Sequence, residues 1–261
     1  MEKYELLNLL GQGTYGKVIK GKVKETGDFV AVKKIKNWEN NKMIKKITLR
    51  EIRILRILNH PNIVKLIEVI YEREKSYLVF EYVESTVMRC SKNLDIDEFK
   101  KIVYQLLMAL NHCHEQNVIH RDVKPDNVLL SSKGVVKLCD FGFAKVFKAN
   151  QKLTEYVSTR WYRAPELLEG GGNYSYPVDV WSVGCLCAEL LTGKPLFPGN
   201  NDADMLTKIT KFCGNLTENL NFEFKNHAHF KSFEVCINQQ RSQDIHTNPQ
   251  QTNSIPQLLT Y

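Results

Sequence analysis

The chain has 261 residues, of which 43% are hydrophobic and 25% charged, and its formal net charge at neutral pH is +7. This apolar content is ample to build a core, and the length allows one large domain or two coupled lobes. No segment approaches the roughly 20 apolar residues that a membrane-spanning helix needs, so none is expected. The first five residues contain no apolar signal core, and the seven cysteines include no C-x-x-C pair that would indicate zinc. We therefore expect reduced thiols in a reducing compartment.

The first third of the chain is rich in β-forming residues. Short runs between residues 4 and 35 are broken by Gly11, Gly16 and Gly27, and two further runs follow at 66–71 and 76–82. One helical pattern lies between them. This order predicts a small antiparallel sheet accompanied by a single helix.

The helical pattern between these strands is amphipathic. Its apolar positions Ile44, Ile47, Leu55 and Leu58 follow one stripe, and Glu51 occupies the missing position of that stripe. A carboxylate on the buried side of a helix needs a cation nearby, because an unpaired charge is costly away from water. The alternative is that Glu51 bends to the helix edge and reaches solvent. The opposite face is basic, which indicates either a solvated surface or a docking surface for an acidic partner.

The patterns that follow are mainly helical. Asp95 and Glu98 have the spacing of a capping box, which predicts the start of a helix. The inward face of that helix is expected to consist of Phe99, Ile102, Val103, Leu106, Leu110 and Cys113. Residues 177–191 are apolar nearly all round, so a buried helix is expected there. From Asn238 onward polar residues dominate without a periodic apolar face, which predicts disorder.

Five short motifs follow one another along the chain. They are Gly-x-Gly-x-x-Gly at 11–16, Val-Ala-Val-Lys at 30–33, His-Arg-Asp-x-x-x-x-Asn at 120–127, Asp-Phe-Gly at 140–142 and Ala-Pro-Glu at 164–166. The glycine motif alone would fit a Rossmann site equally well, but a strand follows it here instead of a helix. Together the motifs resemble a eukaryotic protein kinase over roughly the first 212 residues. The finer resemblance is to the cyclin-dependent-kinase-like family, related to the mitogen-activated and cyclin-dependent kinases.

The resemblance implies a fold of the α+β class, the bilobal protein kinase fold. A small antiparallel β-sheet lobe with one helix would be joined to a larger, mainly helical lobe. We expect the small lobe at 1–83, the larger lobe at 84–213 and an irregular polar tail at 214–261. Kinases of this group normally continue with further helices, so the resemblance also implies a truncated, incomplete larger lobe.

The resemblance further implies ATP and Mg²⁺ as cofactors, bound between the lobes. Lys33 would hold the α- and β-phosphates and would itself be held by Glu51, while Asp140 and Asn127 would ligate magnesium. The residues expected around the nucleotide are Leu10, Gly11, Gln12, Gly13, Thr14, Tyr15, Gly16, Val18, Ala31, Lys33, Glu51, Phe80, Glu81 and Val83.

The resemblance also assigns roles in the transfer step. Asp122 would accept or orient the substrate hydroxyl, and Lys124 would neutralise the γ-phosphate during transfer. Thr159 would bond Asp122, which together with Lys124 favours serine or threonine as the acceptor. Asp179 would hold the backbone of the 120–121 turn. The thiol of Cys139 would lie at the back of the nucleotide pocket.

A Thr-Glu-Tyr triplet at 154–156 resembles the activation loops of the mitogen-activated and cyclin-dependent-kinase-like branches. Phosphates on Thr154 and Tyr156 would order this loop through charge-assisted bonds. Their expected ligands are Arg50 and Arg121 for the phosphothreonine, and Arg160 and Arg163 for the phosphotyrosine.

Two further positions bear on regulation. Lys145 stands where relatives usually carry a third arginine, and lysine cannot form the bidentate contact, so a looser phosphothreonine clamp is expected. Thr14 and Tyr15 resemble the pair whose phosphorylation inhibits cyclin-dependent kinases. Phosphate there would repel the phosphates of the nucleotide.

The resulting prediction is a serine/threonine protein kinase that transfers the ATP γ-phosphate to protein hydroxyls and is activated through its Thr-Glu-Tyr loop. Two alternatives stay open: an ATP-binding but inactive scaffold, and an unstable truncated product. We expect protein substrates, an upstream activating kinase and a monomer, with no nucleic acid, membrane or cyclin partner. The expected location is the cytoplasm, and the resemblance adds the nucleus and cilia or flagella.

Overall fold

The computed structural model describes residues 1–13, 15–36, 38, 40–72, 75–90, 94–147, 160–169 and 174–214. The chain divides into two compact units, Met1–Pro198 and Gly199–Tyr261. Within the described residues, none of the helices has both the length and the apolar character needed to span a membrane. The predicted tail beyond residue 214 lies outside the described residues.

A five-stranded antiparallel sheet forms the N-terminal lobe of the first unit. Its strands are β1 (Tyr4–Gln12), β2 (Gly16–Val23), β3 (Phe29–Ile35), β4 (Leu66–Glu72) and β5 (Lys75–Glu81). Their order across the sheet is β1-β2-β3-β5-β4. The register places Lys33 of β3 between Val18 of β2 and Leu78 of β5, so two apolar neighbours flank this lysine. The strands predicted from the sequence are confirmed to within a few residues.

Helix α1 (Lys42–Ile57) lies between β3 and β4 in the chain. The side chain of Asn41 caps its first turn by accepting hydrogen bonds from the backbone amides of Met43 and Ile44. Glu51 is buried on the inner face together with Ile52 and Leu55. The amphipathic stripe predicted a carboxylate on this side of the helix, and the structure confirms it.

Short elements connect the lobes and form the floor of the cleft. They are β6 (Ser85–Thr86), α2 (Val87–Cys90), β7 (Val118–Ile119), β8 (Val128–Leu130), β9 (Val136–Leu138) and β10 (Lys145–Val146). Strand β8 pairs with both β6 and β9. This pairing fixes the chain after the 120–127 motif, since β8 begins directly after Asn127, and the pairing of β7 with β10 fixes the chain before it.

Three helices belong to the larger lobe: α3 (Ile96–Glu115), α4 (Pro165–Leu168) and α5 (Pro177–Thr192). The capping box of Asp95 and Glu98 is present, as predicted for the start of α3. The interior of α3 joins one continuous core with α1, β5 and α5. The expected α+β architecture, an antiparallel sheet lobe followed by a mainly helical lobe, is confirmed, whereas its boundaries at residues 83 and 213 stay predictions.

The expectation that residues 177–191 are buried nearly all round is wrong for one side of α5. Val180 is 52% exposed and Leu191 is 62% exposed, and Gly184 between them is also exposed. The helix packs mainly on α3 and on the turn Arg160–Tyr162, so only the sides facing those elements are covered. An apolar composition permits burial, but a neighbour is needed to produce it.

The second unit is described only at its start. Helix α6 (Asp202–Cys213) follows Asn201, whose side chain accepts a hydrogen bond from the backbone amide of Asp204. The acidic residues Asp202 and Asp204 lie in its first turn, where their negative charges interact favourably with the positive end of the helix dipole.

Gly16 at the start of β2 is required by packing between strands. A β-carbon placed there would lie 2.3 Å from the carbonyl oxygen of Lys34 on β3, whereas one placed at Gly11 would meet nothing within 4 Å. We therefore predict that Gly16→Ala destabilises the protein by about 1–3 kcal/mol, because the backbone of the neighbouring strand must move. Urea unfolding of the unliganded protein measures this, with Gly11→Ala as the matched control. Equal stability of the two variants would contradict the prediction.

Candidate active site

A cavity of about 280 Å³ opens between the sheet and the floor of the cleft. It approaches the lower end of the range of ligand pockets, about 300–1,000 Å³. Of the residues predicted to surround a nucleotide, its lining includes Leu10, Gly11, Val18, Ala31, Lys33, Glu51, Phe80, Glu81 and Val83. The predicted magnesium ligands Asn127 and Asp140 also line it, as does Cys139.

The remaining residues predicted around the nucleotide lie outside this lining. Gln12 and Gly13 end β1 and start the loop to β2, and Gly16 begins β2. The ring of Tyr15 packs edge-on against Phe143, with 5.6 Å between ring centroids. Burial raises the pKa of Tyr15, and the charges of Asp140 and Asp122 add to this effect, so its ring lies near the acidic part of the site. Thr14 lies outside the described residues.

The strand β5 leads from the sheet into the connection between the lobes. The side chain of Glu81 accepts hydrogen bonds from Lys137 Nζ at 2.8 Å and from the backbone amide of Lys65 at 2.7 Å. The backbone amide of Glu81 donates to the carbonyl of Lys65. Any backbone contact from Glu81 to a ligand must therefore use its carbonyl oxygen.

Lys33 is shared by two carboxylates at the back of the cavity. Its Nζ lies 2.8 Å from Glu51 Oε1 and 3.0 Å from Asp140 Oδ1. Burial would lower the pKa of Lys33, but the charges of Asp140 and Glu51 outweigh it and raise that pKa. The lysine therefore stays charged, and the ion pair predicted between Lys33 and Glu51 is confirmed.

Asp140 is ionised because of the same contact with Lys33. Burial alone would raise the pKa of Asp140, but the adjacent Lys33 lowers it overall. Its backbone has a φ of 59°, in the left-handed region that non-glycine residues rarely adopt. The fold thus fixes both the charge and the direction of this carboxylate.

Asp122 lies buried on the other side of the cleft, in the 120–127 loop. Its Oδ2 accepts a hydrogen bond from Asn127 Nδ2 at 2.8 Å and lies 3.1 Å from Lys124 Nζ. The amide nitrogen of Asn127 also donates to the backbone carbonyl of Asp122. These contacts bring three of the residues predicted for the transfer step into one cluster.

The donor set suits a magnesium ion. The amide nitrogen of Asn127 is engaged with Asp122, which leaves its side-chain oxygen as the atom that can face a cation. Asp140 contributes a second oxygen donor to the same cavity. Magnesium prefers such oxygen ligands, so Asn127 and Asp140 fit the role expected of them.

Asp179 at the start of α5 holds the loop that carries Asp122. Its two oxygens accept the backbone amides of His120 at 2.9 Å and of Arg121 at 2.8 Å, and its Oδ2 also contacts His114 Nε2 at 2.9 Å. Arg121 has a φ of 66°, another strained position. The contact predicted between Asp179 and the 120–121 turn is confirmed.

The two arginines expected to bind phosphothreonine lie near each other, and one of them, Arg50, belongs to α1. Burial lowers the pKa of Arg50 and the charge of Arg121 adds to this effect. Burial also lowers the pKa of Lys145, with further contributions from Arg121, Arg50 and Lys46. Arg121 Nε donates to the carbonyl oxygen of Phe143 at 2.8 Å, which anchors it next to the 140–142 motif.

Arg160 is exposed and Arg163 is buried, both at the turn before α4. Their expected phosphate on Tyr156 cannot be placed against them, because Thr154, Tyr156 and Thr159 lie outside the described residues. The roles assigned to these five residues stay predictions.

Several residues that line the cavity were missed by sequence reasoning: Val64, Glu84, Ser85, Thr86, Arg89, Asp126 and Leu129. Leu129 could have been found, because alternation along β8 places it next to Asn127 and opposite Thr86. Val64 reaches the site only through its backbone pairing with Leu138. No local pattern at Val64 indicates that contact.

Replacing Asp179 tests how the catalytic loop is held. In Asp179→Asn the amide nitrogen cannot accept a hydrogen bond, so a buried backbone donor of His120 or Arg121 loses its partner. We predict a loss of about 1–3 kcal/mol in the free energy of unfolding, measured by denaturant titration. Asp97→Asn, on the exposed first turn of α3, is the control. Unchanged stability of the Asp179 variant would show that the loop does not depend on this carboxylate.

Comparison with known proteins places these observations in a family. The model of the family described as "Protein kinase domain" matches residues 4–259, which extends beyond the motifs that carry the resemblance. Cyclin-dependent kinase-like 4 of Mus musculus is 46% identical over 239 residues, which cover 90% of this chain and 70% of that protein. Cyclin-dependent kinase-like 2 of Homo sapiens is 48% identical over 221 residues, covering 83% of this chain and 45% of that protein.

A third relative is more similar over a shorter stretch. Cyclin-dependent kinase-like 1 of Caenorhabditis elegans is 50% identical over 218 residues, covering 82% of this chain and 62% of that protein. The chain thus spans less than two thirds of the human and nematode relatives. The chain belongs to the protein kinase domain family, and within it to the cyclin-dependent-kinase-like proteins.

Proposed function

We propose that this chain is an active serine/threonine kinase that transfers the γ-phosphate of ATP to protein hydroxyls. The observation that carries the proposal is the contact of Lys33 with both Glu51 and Asp140 at the back of the cavity. A lysine paired with the helix and facing the Asp-Phe-Gly aspartate is the arrangement that phosphoryl transfer requires. An inactive scaffold has no need of this arrangement.

Lys33 is positioned to bind the α- and β-phosphates. Glu51 fixes its ammonium group, so little side-chain freedom is lost when phosphate arrives. Magnesium, when bound by Asp140 and Asn127, would neutralise charge on the β- and γ-phosphates. The contact of Asp140 Oδ1 with Lys33 Nζ holds its carboxylate in the cavity.

Asp122 is positioned to orient the acceptor hydroxyl. Its contacts with Asn127 and Lys124 hold the carboxylate in place, so its main contribution is alignment, with the hydroxyl proton lost late. Lys124 would place a positive charge where the γ-phosphate is transferred. Lys124 two residues after Asp122 favours serine or threonine as the acceptor, and Thr159 is proposed to bond Asp122.

Activation is proposed to depend on Thr154 and Tyr156. Burial and then the charge of Arg121 lower the pKa of Arg50, and burial and then the charges of Arg121 and Arg50 lower the pKa of Lys145. These cations therefore lie close enough to repel one another, and a phosphate would relieve that repulsion. Phosphorylated Thr154 would provide these cations with a negatively charged ligand from the same chain. Phosphate on Thr14 or Tyr15 is proposed to act in the opposite direction, by repelling the nucleotide.

The proposed partners are protein substrates and an upstream activating kinase. We propose that the chain acts as a monomer without a cyclin, a nucleic acid or a membrane. The proposed location is cytoplasmic, with the nucleus and cilia or flagella as further sites.

Two substitutions test the phosphate and metal assignments. We predict that Lys33→Met and Asp140→Asn each lower phosphate transfer to a basic protein substrate by about 10³-fold or more, because each removes electrostatic stabilisation of the transferred group. Lys34→Met, the neighbour of Lys33 on β3, is the matched control and should keep its activity. Thermal shift with magnesium and ATP separates binding from transfer. Binding by the wild-type chain without transfer would identify an inactive scaffold.

A second test concerns the activation loop. We predict that the double variant Thr154→Ala, Tyr156→Phe has at least about tenfold lower activity, the equivalent of one lost charge-assisted interaction. Mass spectrometry of the active wild-type fraction should find both residues phosphorylated, and phosphatase treatment should reduce its activity to the level of the variant. Full activity of the double variant would show that the loop is ordered without phosphate.

A further inference from the structure

The outer face of α1, opposite Glu51, forms one side of a second and wider groove. This groove encloses about 860 Å³ and is completed by Lys145 and Val146 of β10. Its described lining comprises six cations and four apolar residues: Lys42, Lys45, Lys46, Arg50, Arg53, Lys145, Leu49, Ile54, Ile57 and Val146. We call it the α1 groove.

The positive charge of the α1 groove is not compensated by the described part of the chain. None of its described lining residues is acidic, and no ion pair within the described ranges involves its six cations. Lys45 contacts the ring of Trp38, which leaves its charge unneutralised. A surface that is merely solvated usually intersperses both signs, so this one favours a negative ligand.

The floor of the α1 groove is apolar, and this distinguishes it from a surface for simple polyanions. Leu49 is 41% exposed, Ile57 is 49% exposed and Val146 is 39% exposed, while Ile54 closes the bottom. Leu49, Arg53 and Ile57 follow one another at intervals of four residues, so apolar and basic side chains share one helix face. Exposed apolar side chains rimmed by charge are typical of protein interaction sites.

We propose that the α1 groove docks an acidic segment of a partner protein whose carboxylates alternate with apolar side chains. The carboxylates would meet the lysines and arginines of the rim, and the apolar side chains would cover Leu49, Ile57 and Val146. The length of α1 is about 24 Å, which an extended segment of about seven residues would span. Nucleic acids and anionic lipid headgroups offer the charge but leave the apolar floor uncovered.

The docking site is separable from the proposed activation loop contacts. Arg50 and Lys145 form the inner end of the groove and also belong to the proposed phosphothreonine clamp. Lys45, Arg53 and Leu49 line the groove on the outer part of α1 and are not among the residues that line the nucleotide cavity. Binding of a partner segment is measured without ATP, so its outcome does not depend on whether the chain has the proposed kinase activity.

The test uses the full, unphosphorylated chain and a fluorescent peptide of about twelve residues, long enough to cross the groove, in which pairs of glutamates alternate with leucines. We expect saturable binding by fluorescence polarisation that weakens with added salt. The same peptide with glutamine in place of glutamate should bind at least about tenfold more weakly. The double variant Lys45→Glu, Arg53→Glu should show a comparable loss.

Matched variants separate this docking from general charge effects. Lys24→Glu, Lys133→Glu changes the charge by the same amount at exposed positions outside the groove and should bind normally. Leu49→Ser keeps every cation and should bind several-fold more weakly. Unchanged binding by Leu49→Ser, or equal losses in the two double variants, would overturn the proposal. So would binding of duplex DNA or phosphatidylserine vesicles in place of the acidic peptide.

Discussion

The geometry of the site depends on one lysine that is shared by two carboxylates. Lys33 on the sheet meets Glu51 from α1 and Asp140 from the floor of the cleft, so three separate elements are joined at one atom. Burying these charges is costly, and it is tolerated because each carboxylate reaches the same ammonium group within about hydrogen-bond distance. Burial raises the pKa of Glu51 although Lys33 lowers it, so Lys33 is shared between a buried carboxyl and the more exposed Asp140. A ligand that binds to this site only in the folded chain should stabilise the native state.

On the floor of the cleft, hydrogen bonds hold the residues whose backbone is strained. Arg121 and Asp140 both have positive φ angles and flank the residues assigned to proton and metal contacts. Such angles cost about 1–3 kcal/mol each and persist only where surrounding contacts over-determine them. Asp179 supplies this support at Arg121 by accepting its backbone amide, and His120 supplies a second link by contacting the carbonyl of Cys139 at 3.1 Å. The loop that carries Asp122 is thereby tied to both α5 and the segment before Asp140.

Features determined by neighbours in sequence were predictable. The capping box of α3 needs only Asp95 and Glu98, and the burial of Glu51 follows from the period of its own helix. The resemblance to kinases supplied the pairing of Lys33 with Glu51, which periodicity alone left open. The order of the motifs therefore predicted more of the site than local sequence patterns did.

Features determined by contacts between distant segments were not predictable. The clash at Gly16 comes from a carbonyl on the neighbouring strand, and the glycine motif suggested only a phosphate role for that residue. The exposed side of α5 at Val180 and Leu191 depends on which elements pack on the helix, and its apolar sequence indicated burial everywhere. Val64 enters the cavity lining through a backbone pairing that no pattern encodes.

Two buried acids of the larger lobe differ in their hydrogen-bond partners. Asp179 is fully buried, and backbone amides donate hydrogen bonds to both of its oxygens. Glu169, directly after α4, is 1% exposed, and within the described residues neither of its oxygens has a hydrogen-bond partner. Burial raises the pKa of Glu169 to about 7, and the neighbouring Glu166 adds to the shift.

Because its pKa is raised, Glu169 makes a contribution to the stability of the lobe that depends on pH. A carboxyl whose pKa is higher in the folded state stabilises the fold when protonated, and this contribution is lost as the pH rises from about 4.5, the ordinary value, through about 7. At neutral pH the end of α4 therefore opposes folding, while the hydrogen-bonded Asp179 supports it. The loop that carries Asp122 is thus attached to Asp179, whose carboxylate accepts backbone hydrogen bonds. Glu169, which lacks such partners within the described residues, lies at α4, outside the residues that line the cavity.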